Sequence, residues 1–163
     1  PTLTFSSIQQ RSIITSQIIL NEINRPNKII KDWRLNERHY GKLTGYNRSD
    51  VKWKGGYFDM PPLVDPAIEM KEISQQYSEY YPHYGESYYM TYLRVLPTWQ
   101  LIQFKMKCGE IPLICGHQNV FRVLMAKMEN IPIADIQNIE VPNATPLLYT
   151  FDQHWNIIDK KIL

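Results

Sequence analysis

Two short strand-like segments constrain this chain more than any other feature. Leu3–Ser6 and residues 111–115 are each followed at once by turn signals and then by a helical pattern. Strand into helix across a tight turn is the building unit of an α/β sheet, and ligand chemistry in such sheets gathers at the carboxyl ends of the strands. After the first run, Ser7-Ile-Gln-Gln10 has capping-box spacing, and the apolar positions Ile14, Ile18, Leu20 and Ile23 that follow mark a helix. After the second, Gly116-His-Gln-Asn119 reads as a turn ahead of a helix over residues 120–128, which sets His117 at the end of a strand. Pro26 should stop the first helix, and residues 28–33, with the pair Ile29-Ile30, read as another strand.

Further along, the pairs Gly55-Gly56 and Pro61-Pro62 mark irregular structure over residues 49–62, Asp65-Pro66 opens a helix to about Tyr77, and residues 79–84 are loop-like. Residues 87–107 predict a long amphipathic helix, kinked at Pro97 and closed by Gly109. A short helix is expected near Asp135 after Pro132, and residues 146–152 with 155–162 form a hairpin edge. The whole reads as one domain over residues 1–163. Its formal charge of +2, with no block of like charge, argues against a dedicated nucleic-acid partner. No apolar run approaches the roughly 20 residues that a bilayer span requires.

Two cysteines, Cys108 and Cys115, are too few for a disulfide framework and suggest a reducing intracellular compartment. Cys115-Gly-His117 offers two metal ligands without a second pair at zinc spacing, so no metal is expected and a core thiol is the plainer reading. The tyrosines Tyr77, Tyr80, Tyr81, Tyr84, Tyr88, Tyr89 and Tyr92 form either a partner surface or a packed lid, and His83 and His154 read as surface residues.

The densest polar stretch is Arg34-Leu-Asn-Glu-Arg-His-Tyr-Gly41. By composition alone it is a solvated loop with Arg and Glu paired, or an anionic-substrate site. Extended to Trp33 and Gly45, it closely resembles the signature loop of the cofactor-dependent phosphoglycerate mutases of the histidine phosphatase superfamily. The resemblance continues in order through Ser6-Ser-Ile-Gln-Gln-Arg11, Gly85-Glu-Ser87, Arg94-Val-Leu-Pro-Thr-Trp99, Gly116-His-Gln-Asn-Val-Phe-Arg122 and Val141-Pro-Asn-Ala-Thr-Pro146. It implies a three-layer α/β fold with a mixed, mostly parallel sheet flanked by helices. It also implies that Arg11 grips phosphate, Glu37 is the general acid/base, and Tyr40 contacts substrate. Arg48 stands at a substrate-binding lysine, His117 is the second active-site histidine, and Asn119 is its polar neighbour.

Three departures from the family pattern shape the functional expectation. The family's nucleophilic histidine lies in an Arg-His-Gly motif on the first, central strand, and none of His39, His83, His117 and His154 has that setting. The match begins at the family's second strand, so the central strand and first helix are expected to be missing. Lys54 and Gly55 stand where the family has two arginines, which weakens bidentate phosphate recognition. Gln118 replaces a glycine beside the reacting phosphate, where a larger side chain is expected to crowd the pocket.

The leading expectation is therefore a degenerate, non-catalytic binding or structural subunit that needs no cofactor, with another polypeptide lying against the strands at Leu3–Ser6 and 111–115. Its home would be a mitochondrial or cytoplasmic assembly. The alternative is an active phosphoglycerate mutase using 2,3-bisphosphoglycerate, its nucleophile supplied from outside this sequence.

Overall fold

The computed structural model describes residues 1–40, 86 and 88–163. The expectations for residues 49–62, 65–77 and 79–84 lie outside the described residues, as do Arg48, Lys54, Gly55 and His83. In chain order the described elements are strand β1 (Leu3–Ser6), helix α1 (Gln10–Glu22), strand β2 (Ile29–Lys31), a 3-10 turn (Trp33–Leu35) and helix α2 (Tyr88–Lys107). Strand β3 (Pro112–Cys115), helix α3 (Gln118–Met128), a 3-10 segment (Ile133–Asn138) and the strands β4 (Leu147–Phe151) and β5 (Ile157–Ile162) follow.

The sheet is parallel in the order β2-β1-β3, with Phe5 opposite Ile30 on one side and Ile114 on the other. β4 and β5 form a separate antiparallel pair with a register shift at Thr150/Phe151. Alternation along β1 separates two layers. Leu3 and Phe5 join the apolar cluster of Val95, Trp99 and Ile102 from α2 and Val120, Val123 and Leu124 from α3. Ser6 faces α1 instead, its hydroxyl 2.9 Å from that of Ser12.

α1 buries a face that its apolar spacing marks only at Leu20. Ile14, Ile18 and Ile23 are exposed, while Ser12, Ser16 and Leu20 are buried. Small side chains let the helix approach the sheet closely, and their hydroxyls are satisfied locally: Ser12 Oγ donates to the Cys115 carbonyl at 2.8 Å and Ser16 Oγ to the Ser12 carbonyl at 2.9 Å. The expected capping box does not form either. Gln9 occupies the cap position without a side-chain cap bond, and the Ser7 hydroxyl accepts from Gln9 N–H at 3.2 Å while lying 2.8 Å from His117 Nε2. The helix ends at Glu22, ahead of Pro26, with Asn24 in the left-handed region at φ 48° and Arg25 N–H bonded back to the Leu20 carbonyl.

Helix α3 starts two residues earlier than its apolar pattern suggests, with His117 as its cap residue. Gly109 (φ 87°) follows α2 and turns the chain toward β3. The hairpin β4–β5 is anchored by aromatic packing, Phe151 lying 6.1 Å from Trp99 and 5.8 Å from Trp155 between ring centroids.

The placement expected for a partner strand needs correcting. β1 is paired on both edges, by β2 and β3, so no further strand can lie against Leu3–Ser6. Among the described residues the outer edges of β2 and β3 have no strand beside them, so of the two expected contacts only the one at β3 stays open to a partner.

One ion pair, between buried Asp32 and half-buried Arg34, fixes the entry to the polar loop. Asp32 accepts from Arg34 N–H at 3.0 Å, from the Arg34 guanidinium at 2.8 to 3.1 Å, and from Thr98 Oγ at 2.6 Å. Burial acts to raise the Asp32 carboxyl, but the hydrogen bonds from Arg34 and Thr98 outweigh it and hold the pKa below the ordinary carboxylate value. Thr98 is fully buried, so Thr98→Val keeps the shape and removes one donor to a charged acceptor. The expected cost is about 1–3 kcal/mol in urea unfolding at neutral pH.

Candidate active site

His117 follows β3 after Gly116, at the carboxyl end of an outer strand of the described sheet, and only 6% of it is exposed. Both ring nitrogens are engaged. Nε2 lies 2.8 Å from Ser7 Oγ, and Arg11 Nε–H donates to Nδ1 at 3.2 Å. Guanidinium cannot accept, so Nδ1 must carry the lone pair and the neutral ring holds its proton on Nε2, directed at Ser7. Burial, then the positive charges of Arg11 and Arg94, push the His117 pKa down to about 4. The ring is therefore a neutral donor at pH 7. Arg11 itself is exposed, and among the described residues its two Nη amines have no hydrogen-bond acceptor. A charged fork thus faces solvent beside a neutral N–H donor, the composition of a site for a tetrahedral anion.

A second cluster adjoins it. Asn119, on the first turn of α3, donates through Nδ2 to Tyr40 Oη at 2.6 Å, and its Oδ1 accepts from Tyr88 Oη at 2.8 Å and Arg122 Nη1 at 3.3 Å. Its amide is committed on both sides, so its evident work is to hold the Tyr40 phenol. Arg122 also donates to the Ile139 carbonyl at 2.9 Å, which ties α3 to the segment beyond it. Arg38 is buried, with its guanidinium carbon 5.0 Å from the Tyr40 ring centroid and 4.6 Å from that of Tyr88. Glu37 is half-buried, and its Oε1 accepts from Arg38 N–H at 2.7 Å.

Arg94 and Glu86 support this loop. Arg94 donates to the carbonyls of Arg34, Asn36 and Glu37 and pairs with the Glu86 carboxylate, which also accepts from His39 N–H at 3.1 Å.

Of the residues expected at the site, the structure joins Arg11 to His117 and Tyr40 to Asn119, and places Glu37 on the adjoining loop. His39 is exposed and His154 bonds only its own turn, with Asp152 and Gln153. The crowding expected from Gln118 is not found: its side chain is exposed and its amide points to the Val141 carbonyl at 3.4 Å, away from the ring of His117. Ser7, Glu86, Tyr88, Arg94 and Arg122 were not among the expected site residues, although all of them except Tyr88 lie in the motif segments that carry the resemblance. Among the described residues no three His, Cys, Asp or Glu side chains converge on a metal position.

The model of the histidine phosphatase superfamily, branch 1, matches residues 1–160. The chain belongs to that superfamily. Its relatives include 2,3-bisphosphoglycerate-dependent phosphoglycerate mutase 2 of Lactobacillus johnsonii, 36% identical over 100% of this chain and 76% of that protein. The 2,3-bisphosphoglycerate-dependent phosphoglycerate mutase of Mannheimia succiniciproducens is 33% identical over 99% of this chain and 78% of its own length. Among solved structures, Bacillus stearothermophilus YhfR superposes with a TM-score of 0.69 at 21% identity, covering 96% of this chain and 70% of that one. Mycobacterial glucosyl-3-phosphoglycerate phosphatase gives 0.63 at 20% identity, covering 99% and 76%. These superfamily members share the fold seen here, a parallel sheet flanked by helices.

Proposed function

We propose that this chain works on phosphoglycerates, its described residues supplying the phosphate-binding side of a mutase site. The observation that carries the reading is the pairing of neutral His117 with Arg11, whose Nη amines have no acceptor among the described residues. An incoming phosphomonoester can take two N–H donors from Arg11 and displace Ser7 from the Nε2–H of His117. Charge, geometry and protonation state all favour a dianion there. Glu37 is the group assigned to move the substrate hydroxyl proton, and Tyr40, fixed by Asn119, orients the glycerate part. The same donor set suits 2,3-bisphosphoglycerate, whose phosphoryl group would pass to a nucleophile supplied from outside this sequence and from there to a glycerate hydroxyl.

The test is turnover of 3-phosphoglycerate with a trace of 2,3-bisphosphoglycerate, using the natural full-length protein. Activity is expected, and His117→Ala should abolish it. Arg11→Ala should weaken calorimetric binding of 3-phosphoglycerate by about 10- to 100-fold, the loss of a charge-assisted contact. Absence of both turnover and binding contradicts the proposal.

A second reading is a non-catalytic binding subunit within an assembly, in which a strand from another polypeptide lies along β3. The observation in its favour is the β3 edge that has no strand beside it among the described residues. Binding of 3-phosphoglycerate without turnover in the full-length protein would support it over the mutase.

A further inference from the structure

Residues 34–39 carry Glu37, yet this stretch has regular structure only at its start, where the 3-10 turn Trp33–Leu35 ends. What holds the rest comes from far away in the chain. Arg94, on α2, donates to the carbonyls of Arg34 and Asn36 (2.8 Å for the latter) and at 3.4 Å to that of Glu37 itself. A single guanidinium thus collects three carbonyls from four consecutive residues. Its remaining capacity goes to Glu86, whose Oε2 accepts from Arg94 Nη2 at 2.8 Å and from His39 N–H at 3.1 Å, while Glu86 N–H donates to the His39 carbonyl at 2.7 Å.

The side chains of Arg94 and Glu86 are 12% and 3% exposed. Water therefore competes little for these bonds, and the fork geometry is the part of arginine that lysine cannot reproduce. Five polar groups of the loop converge on Arg94 and Glu86.

We propose that Arg94, oriented by Glu86, is a positioning residue for the segment 36–39, fixing where the Glu37 carboxylate and the Tyr40 phenol stand relative to His117. The inference rests on the reading of Glu37 given under Proposed function. It assigns to α2 the task of setting the distance between the proton-transfer group on the loop and the anion site made by Arg11 of α1 and His117 between β3 and α3. Preorganisation of this kind affects the rate of reaction more than the strength of binding, since a displacement of about 1 Å can cost about 100-fold in rate.

The experiment compares wild type, Arg94→Lys, Arg94→Ala and, as a control on an exposed position of the same helix, Gln100→Ala. It reads steady-state kinetics with 3-phosphoglycerate and amide hydrogen exchange over residues 34–40. Arg94→Lys is expected to lower kcat by about 10- to 100-fold with KM changed by less than about threefold. Exchange at His39 and its neighbours should accelerate at least about 10-fold, while Gln100→Ala changes neither. Added guanidinium should restore part of the kcat of Arg94→Ala.

Unchanged exchange over 34–40 in both Arg94 variants overturns the proposal. So does a kcat loss that tracks a fall in melting temperature and is not rescued. If wild type itself neither binds nor turns over 3-phosphoglycerate, the functional reading fails by that result, and the exchange data still decide whether Arg94 holds the loop.

Discussion

Lowering the pH from 7 to 4 is expected to remove up to about 3 kcal/mol of stability through His117 alone, and His117→Gln is expected to flatten that part of the pH profile. The folded-state pKa lies near 4, pushed down by burial first and then by Arg11 and Arg94, against an ordinary value of 6.5. Between those values the unfolded chain binds a proton that the folded one does not, so stability rises with pH across this window. The contribution is fully present above about 6.5, falls as pH drops toward 4, and is exhausted below it. Protonation of Nδ1 would also set an imidazolium proton against the Arg11 guanidinium at 3.2 Å. Urea unfolding of wild type and His117→Gln at steps between pH 4 and 7 isolates the effect as the difference between two curves. Parallel curves would mean that the ring is not held neutral by its surroundings.

Phe5→Ala is expected to be the most destabilising single truncation among the described residues, costing about 3–5 kcal/mol. Phe5 is fully buried at the middle of the central strand, opposite Ile30 and Ile114, and belongs to the cluster that joins β1 to α2 and α3. A cavity there opens on all of these at once, and the sheet cannot collapse to fill it because its strand spacing is set by hydrogen bonds. A domain of this size is stable by only about 5–15 kcal/mol, so the variant should show a large drop in denaturation midpoint. For comparison, Ile14→Ala, on the exposed face of α1, should change stability by less than about 0.5 kcal/mol, whereas the apolar spacing of that helix would rank it as a core position.

That contrast shows where the sequence could be read and where it could not. Runs such as Leu3–Ser6 and 112–115 are strands because their apolar residues have turns and helices on both sides, and both were legible. The hairpin and the carboxyl-end position of His117 followed from the same local signals. The inward face of α1 did not, because hydrophobic periodicity assumes that apolar residues face the core. Here close approach to the sheet selects Ser12, whose hydroxyl finds partners on Cys115 and Ser6, and Ser16, whose hydroxyl donates to the Ser12 carbonyl.

The order β2-β1-β3 was likewise invisible, since parallel pairing joins residues 25 positions apart in β1–β2 and 109 apart in β1–β3 and leaves no local pattern. Motif resemblance singled out Arg11, Glu37, Tyr40, His117 and Asn119, of which the structure joins Arg11 to His117 and Tyr40 to Asn119. The clamp of Ser7 on His117, the commitment of Asn119 to Tyr40, and the bonds from Arg94 to the 34–37 carbonyls are long-range contacts that only the folded chain reveals. Gln118 carries the opposite lesson: a substitution that looks obstructive by size is harmless when the helix start turns it to solvent.

The central claim is that a neutral His117, donating through Nε2–H beside Arg11, receives the phosphate of a phosphoglycerate. Nitrogen NMR of the imidazole, recorded at pH 7 while 3-phosphoglycerate is titrated in, tests it most directly. The account predicts a neutral Nε2–H tautomer in the free protein and a saturable shift of that nitrogen on binding, lost in Arg11→Ala. A ring that is already protonated at pH 7, or one whose signals ignore saturating ligand, would contradict it.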